Sequence, residues 1–465
     1  VTSFLLLFGL VAPFSSDLGE RGALWKGDVV FMVQILPFCG WRYDLSQVGS
    51  LSEVTAPASR LIDETVQHAL YRQHPCNVIR LVMNREEPGD ASPADRTSRA
   101  DDFLRLWKRE GILLLEHETA FYIVETTFRL AEMERTRWSV IARLRLPDLF
   151  PDVSNGLCSI VQADPEQVNH ELELRKVCQA SLSPVMALLE DTTGEDADPR
   201  GLSDHLEALV RLLPPIECID DKGLRHRIWP LTDQMAKTEL ESRLSRFSVF
   251  IVGGAAEIDA AVRHRNDLLA TGRMLDPNDP IHTVLACLIP SDDHGFQFLP
   301  RVLMVKDRRS LSGEKLQQLL SGKLLCQFVG TEPSACEDAI ELARLSDQQP
   351  CVAIGTRDQA WMIVSPGPAA DIDSNDSLIH QIAALTDDGS QETDAVIGLR
   401  LPLHYGGLEQ FQNSIFKSTE AGLMIVEPPL SPTEVFSLND REHLFPEDSI
   451  RLYPDIPTGL VFSAW

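Results

Sequence analysis

The chain has 465 residues, with 69 Asp plus Glu against 42 Lys plus Arg, a formal net charge of −27, 44% apolar and 24% charged residues. That balance excludes a globally disordered chain and is the composition of a soluble globular protein long enough for several packing units. So negative a surface repels phosphate backbones and anionic headgroups, and no local basic patch offsets it, so the sequence predicts no nucleic-acid and no membrane partner.

The apolar run 4–14 is broken by Gly9 and Pro13 and has no Lys or Arg before it, so it is too short for a bilayer span and lacks a signal peptide's positive start. Regular patterning begins after Met32, and residues 1–31 are expected to be a non-native or disordered extension, with translation starting at Met32. Segments 77–83, 120–128 and 138–146 are rich in β-branched and aromatic residues and predict strands. Apolar residues recur three and four apart in 59–73, 98–110, 164–180 and 233–246, which predicts helices. Stretches 86–101, 190–201 and 366–376 are rich in Asp, Pro, Gly, Ser or Thr and predict loops. A strand at 247–252, a tight turn at Gly253-Gly254 and a helix at 255–270 follow. Further strands are expected at 284–289, 324–329, 351–355 and 361–365, with 450–453 and 459–462 as a closing pair. The alternation predicts a mixed α/β fold in two closely packed lobes, 32–275 and 276–465, divided at the turn-rich passage from Leu275 to Pro280.

Nine scattered cysteines without a C-x-x-C pair read as reduced thiols of a cytoplasmic protein. The strand, two glycines and helix start at 250–256 offer backbone amides and a helix dipole to an anion, but a dinucleotide fingerprint needs three spaced glycines. Gly322-Lys323 lacks the first glycine and the hydroxyl of a phosphate loop. His170-Glu171 lacks the second histidine of a zinc-protease helix, because position 174 is Leu. Asp371, Asp373, Asn375 and Asp376 mimic a calcium loop without its central glycine or closing Glu. No metal site is expected, and His74 and His226 read as turn or surface histidines.

The passages Leu36-Pro37-Phe38-Cys39-Gly40-Trp41-Arg42-Tyr43-Asp44, Thr55-Ala56-Pro57 and His74-Pro75-Cys76-Asn77-Val78-Ile79-Arg80-Leu81 resemble the opening of the bacterial family known as domain of unknown function 1015. Trp107, Glu110-Gly111-Ile112-Leu113, Leu182-Ser183-Pro184-Val185, His226-Arg227-Ile228-Trp229 and Pro457-Thr458-Gly459-Leu460-Val461 continue the likeness in order, over about residues 32–465. The family carries an Asp-Gly-His-His-Arg strand-turn-helix that looks like the phosphate-handling box of the ParB, sulfiredoxin and free-serine-kinase superfamily. The resemblance therefore implies nucleotide or phosphoester chemistry around serine and phosphoserine.

At that place this sequence reads Gly253-Gly254-Ala255-Ala256-Glu257, so two imidazoles and a guanidinium are replaced by methyls and a carboxylate. Further polar positions of the family stand here as Pro57-Ala58-Ser59-Arg60 and Pro300-Arg301-Val302-Leu303, and two C-terminal lysines as Asp448 and Asp455. Losing several cations of one phosphate site removes on the order of several kcal/mol of transition-state stabilisation. The expectation is a catalytically degenerate scaffold, or a regulatory or binding protein, with Gly253, Gly254, Ala255 and Ala256 as its ligand-binding turn. Its partner would be another protein or a small phosphorylated metabolite, and no cofactor is evident. The alternative is a phosphoryl-transfer or phosphoester-hydrolysing enzyme using nucleotide with magnesium, with Glu257, Asp259, Arg60 and Arg301 as candidate catalytic residues.

Overall fold

A computed structural model of the protein describes residues 33–130, 133–146, 157–191, 201–306, 312–332, 334–347, 350–367, 372, 375–386, 396–399, 421–437, 445–446 and 450–465. The expected extension 1–31, and with it Asp371, Asp373 and Asp448, lies outside the described residues.

The fold is mixed α/β. A nine-stranded sheet contains β1 (Ile35–Leu36), β2 (Phe121–Leu130), β3 (Met133–Arg145), β4 (Leu157–Ser159), β5 (Val185–Asp191), β6 (Ile216–Ile219), β7 (Arg225–Leu231), β8 (Phe247–Gly253) and β9 (Thr283–Pro290). The order is β6-β7-β2-β3-β9-β5-β8-β4, with β1 beside β3. Neighbours β9 and β5, and β8 and β4, run parallel, while β5 and β8 are antiparallel.

Successive strand side chains point to opposite faces, so Val185, Ala187 and Leu189 enter one core and Met186 and Leu188 the other. Both faces are covered, which is why β5 and β9 read as unbroken apolar runs instead of alternating ones. On one face lie α2 (Ile79–Val82), α3 (Pro93–Arg109) and α4 (Pro165–Cys178), preceded by α1 (Glu64–Gln73). On the other lie α5 (Leu202–Val210) and α6 (Gln234–Leu244). The long helix α7 (Ala255–Ala270) packs against α4.

A second sheet of six strands contains β10 (Arg301–Lys306), β11 (Leu324–Gly330), β12 (Val352–Thr356), β13 (Trp361–Pro366), β14 (Val396–Leu399) and β15 (Ala421–Glu427), in the order β11-β13-β12-β15-β10-β14, all antiparallel. Helices α8 (Gly313–Leu320) and α10 (Asn375–Thr386) bury Leu316, Leu320, Leu378 and Ile382 on one face, and α9 (Ala335–Arg344) buries Ala339, Ile340 and Ala343 on the other.

The turn-rich passage 272–280 is a connection inside the large-sheet unit, because β9 follows it and lies between β3 and β5. The six-stranded sheet begins only at Arg301. The chain later returns to the large-sheet unit, where Thr458 bridges Ala56, Phe462 bridges Trp41, and Ser463–Ala464 pairs with Ala180–Ser181, all outside the nine-stranded sheet. The expected pairing of 450–453 with 459–462 does not form. Arg451–Tyr453 pairs with Gln297–Leu299 instead. Pro454 and Pro457, which cannot donate to a ladder, separate the two segments and send them to different partners.

Three local expectations are also corrected. Residues 77–83 form a buried helical turn and no strand: Asn77 accepts from the Ile79 N–H at 3.0 Å and donates to the carbonyls of Glu53 and Thr55, each at 2.9 Å. Those bonds, with Val78, Ile79, Leu81 and Val82 buried on all sides, override β-branched propensity. The loop expected over 86–101 ends early, because Ser92 and Asp95 form a capping box and Pro93 occupies the first helical position of α3. The helix expected over 59–73 is a short 3-10 turn at Ser59–Leu61 followed by α1, which restarts where the Asp63 side chain accepts from the Val66 N–H.

Asn77 is fully buried and ties its own turn to the segment 53–55. Asn77→Ala leaves two carbonyls and one amide without their partner and is expected to lower the unfolding free energy by about 2–3 kcal/mol. Urea denaturation followed by circular dichroism measures it.

Candidate functional site

The turn after β8 is set by one close approach. Gly254 has φ +85°, in the left-handed region, and a Cβ there would stand 2.9 Å from the Cα of Val185. Only glycine meets both conditions without strain. The turn aims the N-terminus of α7 across the start of β5, so Ala256 and Glu257 line the same cleft as Ser183, Pro184 and Met186.

A cleft of about 390 Å³ opens at this point. Its walls come from the turn 58–62, Met83, the first turns of α4, the segment Ser183-Pro184 with Met186, the start of α7, and residues 455–458. The volume lies in the range of small-molecule sites. Five carboxylates line it (Asp164, Glu166, Glu171, Glu257 and Asp455), and no Lys or Arg does among the side chains that are described.

The electrostatics follow from the elements. Glu257 occupies the first turn of α7, where a carboxylate is favoured by the helix dipole, so the chain itself supplies the negative charge that an anionic ligand would bring. Asp164 caps α4 by accepting from the Glu166 N–H at 2.8 Å. Asp455 stands 3.4 Å from Arg451. Behind it the fully buried Arg137 donates to the Pro454 carbonyl, and burial lowers its pKa while Asp293 and Asp455 oppose that shift. Ser183 is 5% exposed, and its hydroxyl has no hydrogen-bond partner among the described residues.

The residues expected from sequence are not all together. Gly254, Ala256 and Glu257 line the cleft, while Gly253 and Ala255 are buried beneath it. Asp259 is exposed further along α7 and is not part of the lining. Arg301 lies in the second sheet, paired with Glu427 at 3.4 Å. The backbone of Arg60 is in the turn Ser59–Leu61 beside the cleft, and its side chain lies outside what is described. Among the described residues no group of three or more His, Cys, Asp or Glu converges as a metal site.

The helix α4 wall was missed from sequence. His170-Glu171, which fails as a zinc motif, faces the cleft together with Glu166 and Gln167. The available signal was polar residues at 166, 167, 170 and 171, which three- and four-residue spacing places on one helix face. His226 is fully buried in the large sheet, its Nδ1 3.0 Å from the Thr126 hydroxyl and its Nε2 3.4 Å from Asp220. Burial lowers its pKa, so it is a neutral polar bridge between strands, away from the cleft. His74 accepts from the Cys76 N–H at 3.0 Å and shapes a turn. All nine cysteines are free thiols.

The α4–α7 pair that carries two of the walls also buries charge. Arg175 donates to Ser181 at 2.5 Å and to the Thr283 carbonyl at 2.7 Å, with its pKa pushed down to about 9 by burial. Facing this region, His264 is 7% exposed, and burial, with Arg175 and Lys176 adding to it, lowers its pKa to about 4.

The sequence pattern of the family described as "Protein of unknown function (DUF1015)" matches residues 35–389. Among solved structures, the chain is similar to a conserved hypothetical protein from Pyrococcus furiosus (10% identity, TM-score 0.31, covering 65% of this chain and 90% of that one). It is likewise similar to a free serine kinase in complex with AMP (11% identity, TM-score 0.32, covering 66% and 89%). No curated protein matches the chain.

Two measurements follow from this geometry. Gly254→Ala, which adds a methyl against Val185 in a left-handed backbone, is expected to cost about 2 kcal/mol or more of stability, read by urea denaturation. His264 is held neutral in the folded protein while the unfolded chain takes up its proton below pH 6.5, so its contribution to stability is full above that pH and is lost as pH falls towards 4. Between pH 7 and pH 5 the wild type should therefore lose about 1–2 kcal/mol more stability than His264→Gln.

Proposed function

The chain belongs to the DUF1015 family, and from that premise we propose that it is a binding or regulatory protein, a pseudoenzyme that keeps the cleft without phosphoryl-transfer chemistry. The observation that carries the reading is the lining of the cleft: five carboxylates, Glu257 at the mouth of α7 among them, and no Lys or Arg among the side chains that are described, which do not include that of Arg60. A transferring phosphoryl group needs cations or oriented donors at its equatorial oxygens. Here the helix N-terminus that would serve as donor already has a carboxylate in its first turn.

On this reading the strand, glycine turn and helix at 247–270 descend from the phosphate box of the ParB/sulfiredoxin-like superfamily, with its shape retained and its charge inverted. The cytoplasm is the compartment that suits nine free thiols. Among the described residues no helix is long and apolar enough to cross a membrane.

The test is a thermal-shift and phosphotransfer series on the full chain with ATP, ADP, phosphoserine and pyrophosphate, each with magnesium or manganese. The expected result is no rise in Tm and no transfer of labelled phosphate to serine or water. A rise of several degrees, or turnover, would establish the phosphate-handling enzyme instead. Glu257→Arg, which restores a cation at the helix start, is expected to gain a Tm rise with pyrophosphate that the wild type lacks.

A further inference from the structure

We propose that the open edge of the second sheet, β11, pairs antiparallel with β11 of a second copy of this chain, across a two-fold axis at Gln327. The inference concerns the second sheet and does not depend on how the cleft is read.

β11 ends the order of the six-stranded sheet, and among the described residues β13 is the one strand paired with it. It reads Leu324-Leu325-Cys326-Gln327-Phe328-Val329-Gly330, without a charge or a proline, and Leu325 and Phe328 are 41% and 52% exposed. Proteins blunt such apolar edges with lysine, proline or a covering segment unless the edge is used for pairing. Alternation along the ladder shows which backbone groups are left over. The Thr356 N–H donates to the Ala360 carbonyl at 3.1 Å, which makes theirs a bonded pair, and Ile354 with Met362 and Val352 with Val364 follow in the same phase. Met362 and Val364 therefore turn their backbone groups to β12, while Ile363 and Ser365 turn theirs to Gln327 and Leu325 of β11. Cys326 and Phe328, out of phase with these, point their N–H and C=O groups away from the sheet, where they need a partner outside it.

A second copy is selected because the edge is complementary to itself. An axis at Gln327 sets Cys326 of one copy against Phe328 of the other, so the two outward-facing residues form the hydrogen-bonded pairs. Gln327 meets its own copy in a non-bonded pair, with Cα atoms about 4.5 Å apart, and a primary amide offers both donor and acceptor to another. Val329 is the extra residue of a bulge and has no counterpart on β13, so along the ladder Leu325 falls opposite Gly330 and, at the strand ends, Lys323 opposite Glu332. Lys323 and Glu332 are both exposed, and each end of the paired strands thereby gains one opposite-charge pair. Moving the axis to Cys326 would set Lys323 against Gly330 and Gln327 against Leu325, and both complementarities would be lost. The strand itself is uncharged, and the repulsion between two acidic chains is screened beyond about 8 Å at physiological salt.

Sedimentation equilibrium of the full chain at physiological ionic strength tests the proposal. A dimer that grows with protein concentration is expected, weakened about tenfold or more by Phe328→Lys, which sets a cation in each copy beside the new ladder. Met274→Lys, at a highly exposed site in the large-sheet unit, should leave the association unchanged. Hydrogen exchange of the amides in 324–330 should slow as the dimer forms. Gln327→Cys, treated with oxidised glutathione, should give a disulfide-linked dimer, because the paired Cα atoms stand within disulfide reach. Leu345→Cys, 62% exposed and outside the strand, should not. Circular dichroism and Tm of each variant separate lost association from lost folding. A chain that stays monomeric overturns the proposal: edge amides that are protected in that monomer mean that the chain covers its own edge, and fast-exchanging ones leave the edge to another protein. A dimer that Phe328→Lys does not weaken, or that Met274→Lys weakens equally, overturns it as well. None of these results bears on the reading of the cleft, which the nucleotide and pyrophosphate series decides by itself.

Discussion

The contact between Gly254 and Val185 fixes more of this molecule than its size suggests. It joins the end of β8 to the start of β5 at a distance that excludes a Cβ, and so sets where α7 begins. Because α7 packs on α4, the same contact also places the acidic face of α4 opposite the start of α7. The cleft is what remains between these elements once the turn is made. A side chain at 254 would move the helix start, and with it Glu257, away from the walls it faces.

Within that frame the helix dipole and the side chains act in one direction. An exposed helix start attracts negative charge. In this chain Glu257 meets that attraction internally, and the surrounding carboxylates extend the negative potential across the cleft. The buried Arg137 behind Pro454 balances part of it from below, since Asp455 contributes to holding that guanidinium in its charged form. A cation is thus kept beneath the cleft, whose described lining carries five carboxylates.

Much of the fold was legible: β2, β3, β8 and the helices α4, α6 and α7 stand where the sequence places them. The glycine turn at 253–254 was legible too, since two adjacent glycines between a strand and a helix have few other uses. Residues 77–83 were not, because the hydrogen bonds of Asn77 come from residues far away in sequence and periodicity over seven residues cannot report them. The strand partners of 451–453 were hidden for the same reason: nothing local to that segment points to 297–299. In the cleft, Glu257 could be named from the altered turn, whereas His170, Glu171 and Ser183 needed the packing of α4 and β5 to be seen as neighbours.

The return of the chain's last stretch to the large-sheet unit has a consequence for how the cleft comes into being. Asp455, Ile456 and Thr458 form one of its walls, and Thr458 and Phe462 are tied to Ala56 and Trp41 at the opposite end of the sequence. A nascent chain that has already made β8 and α7 therefore still has an open gutter there, because the closing segment is synthesised long after the turn it covers. Such sequence-distant closure is slow, since the chain entropy of a large loop must be lost before any contact repays it. A chain cut short anywhere in the second sheet lacks Asp455, Ile456 and Thr458, and with them one wall of the cleft.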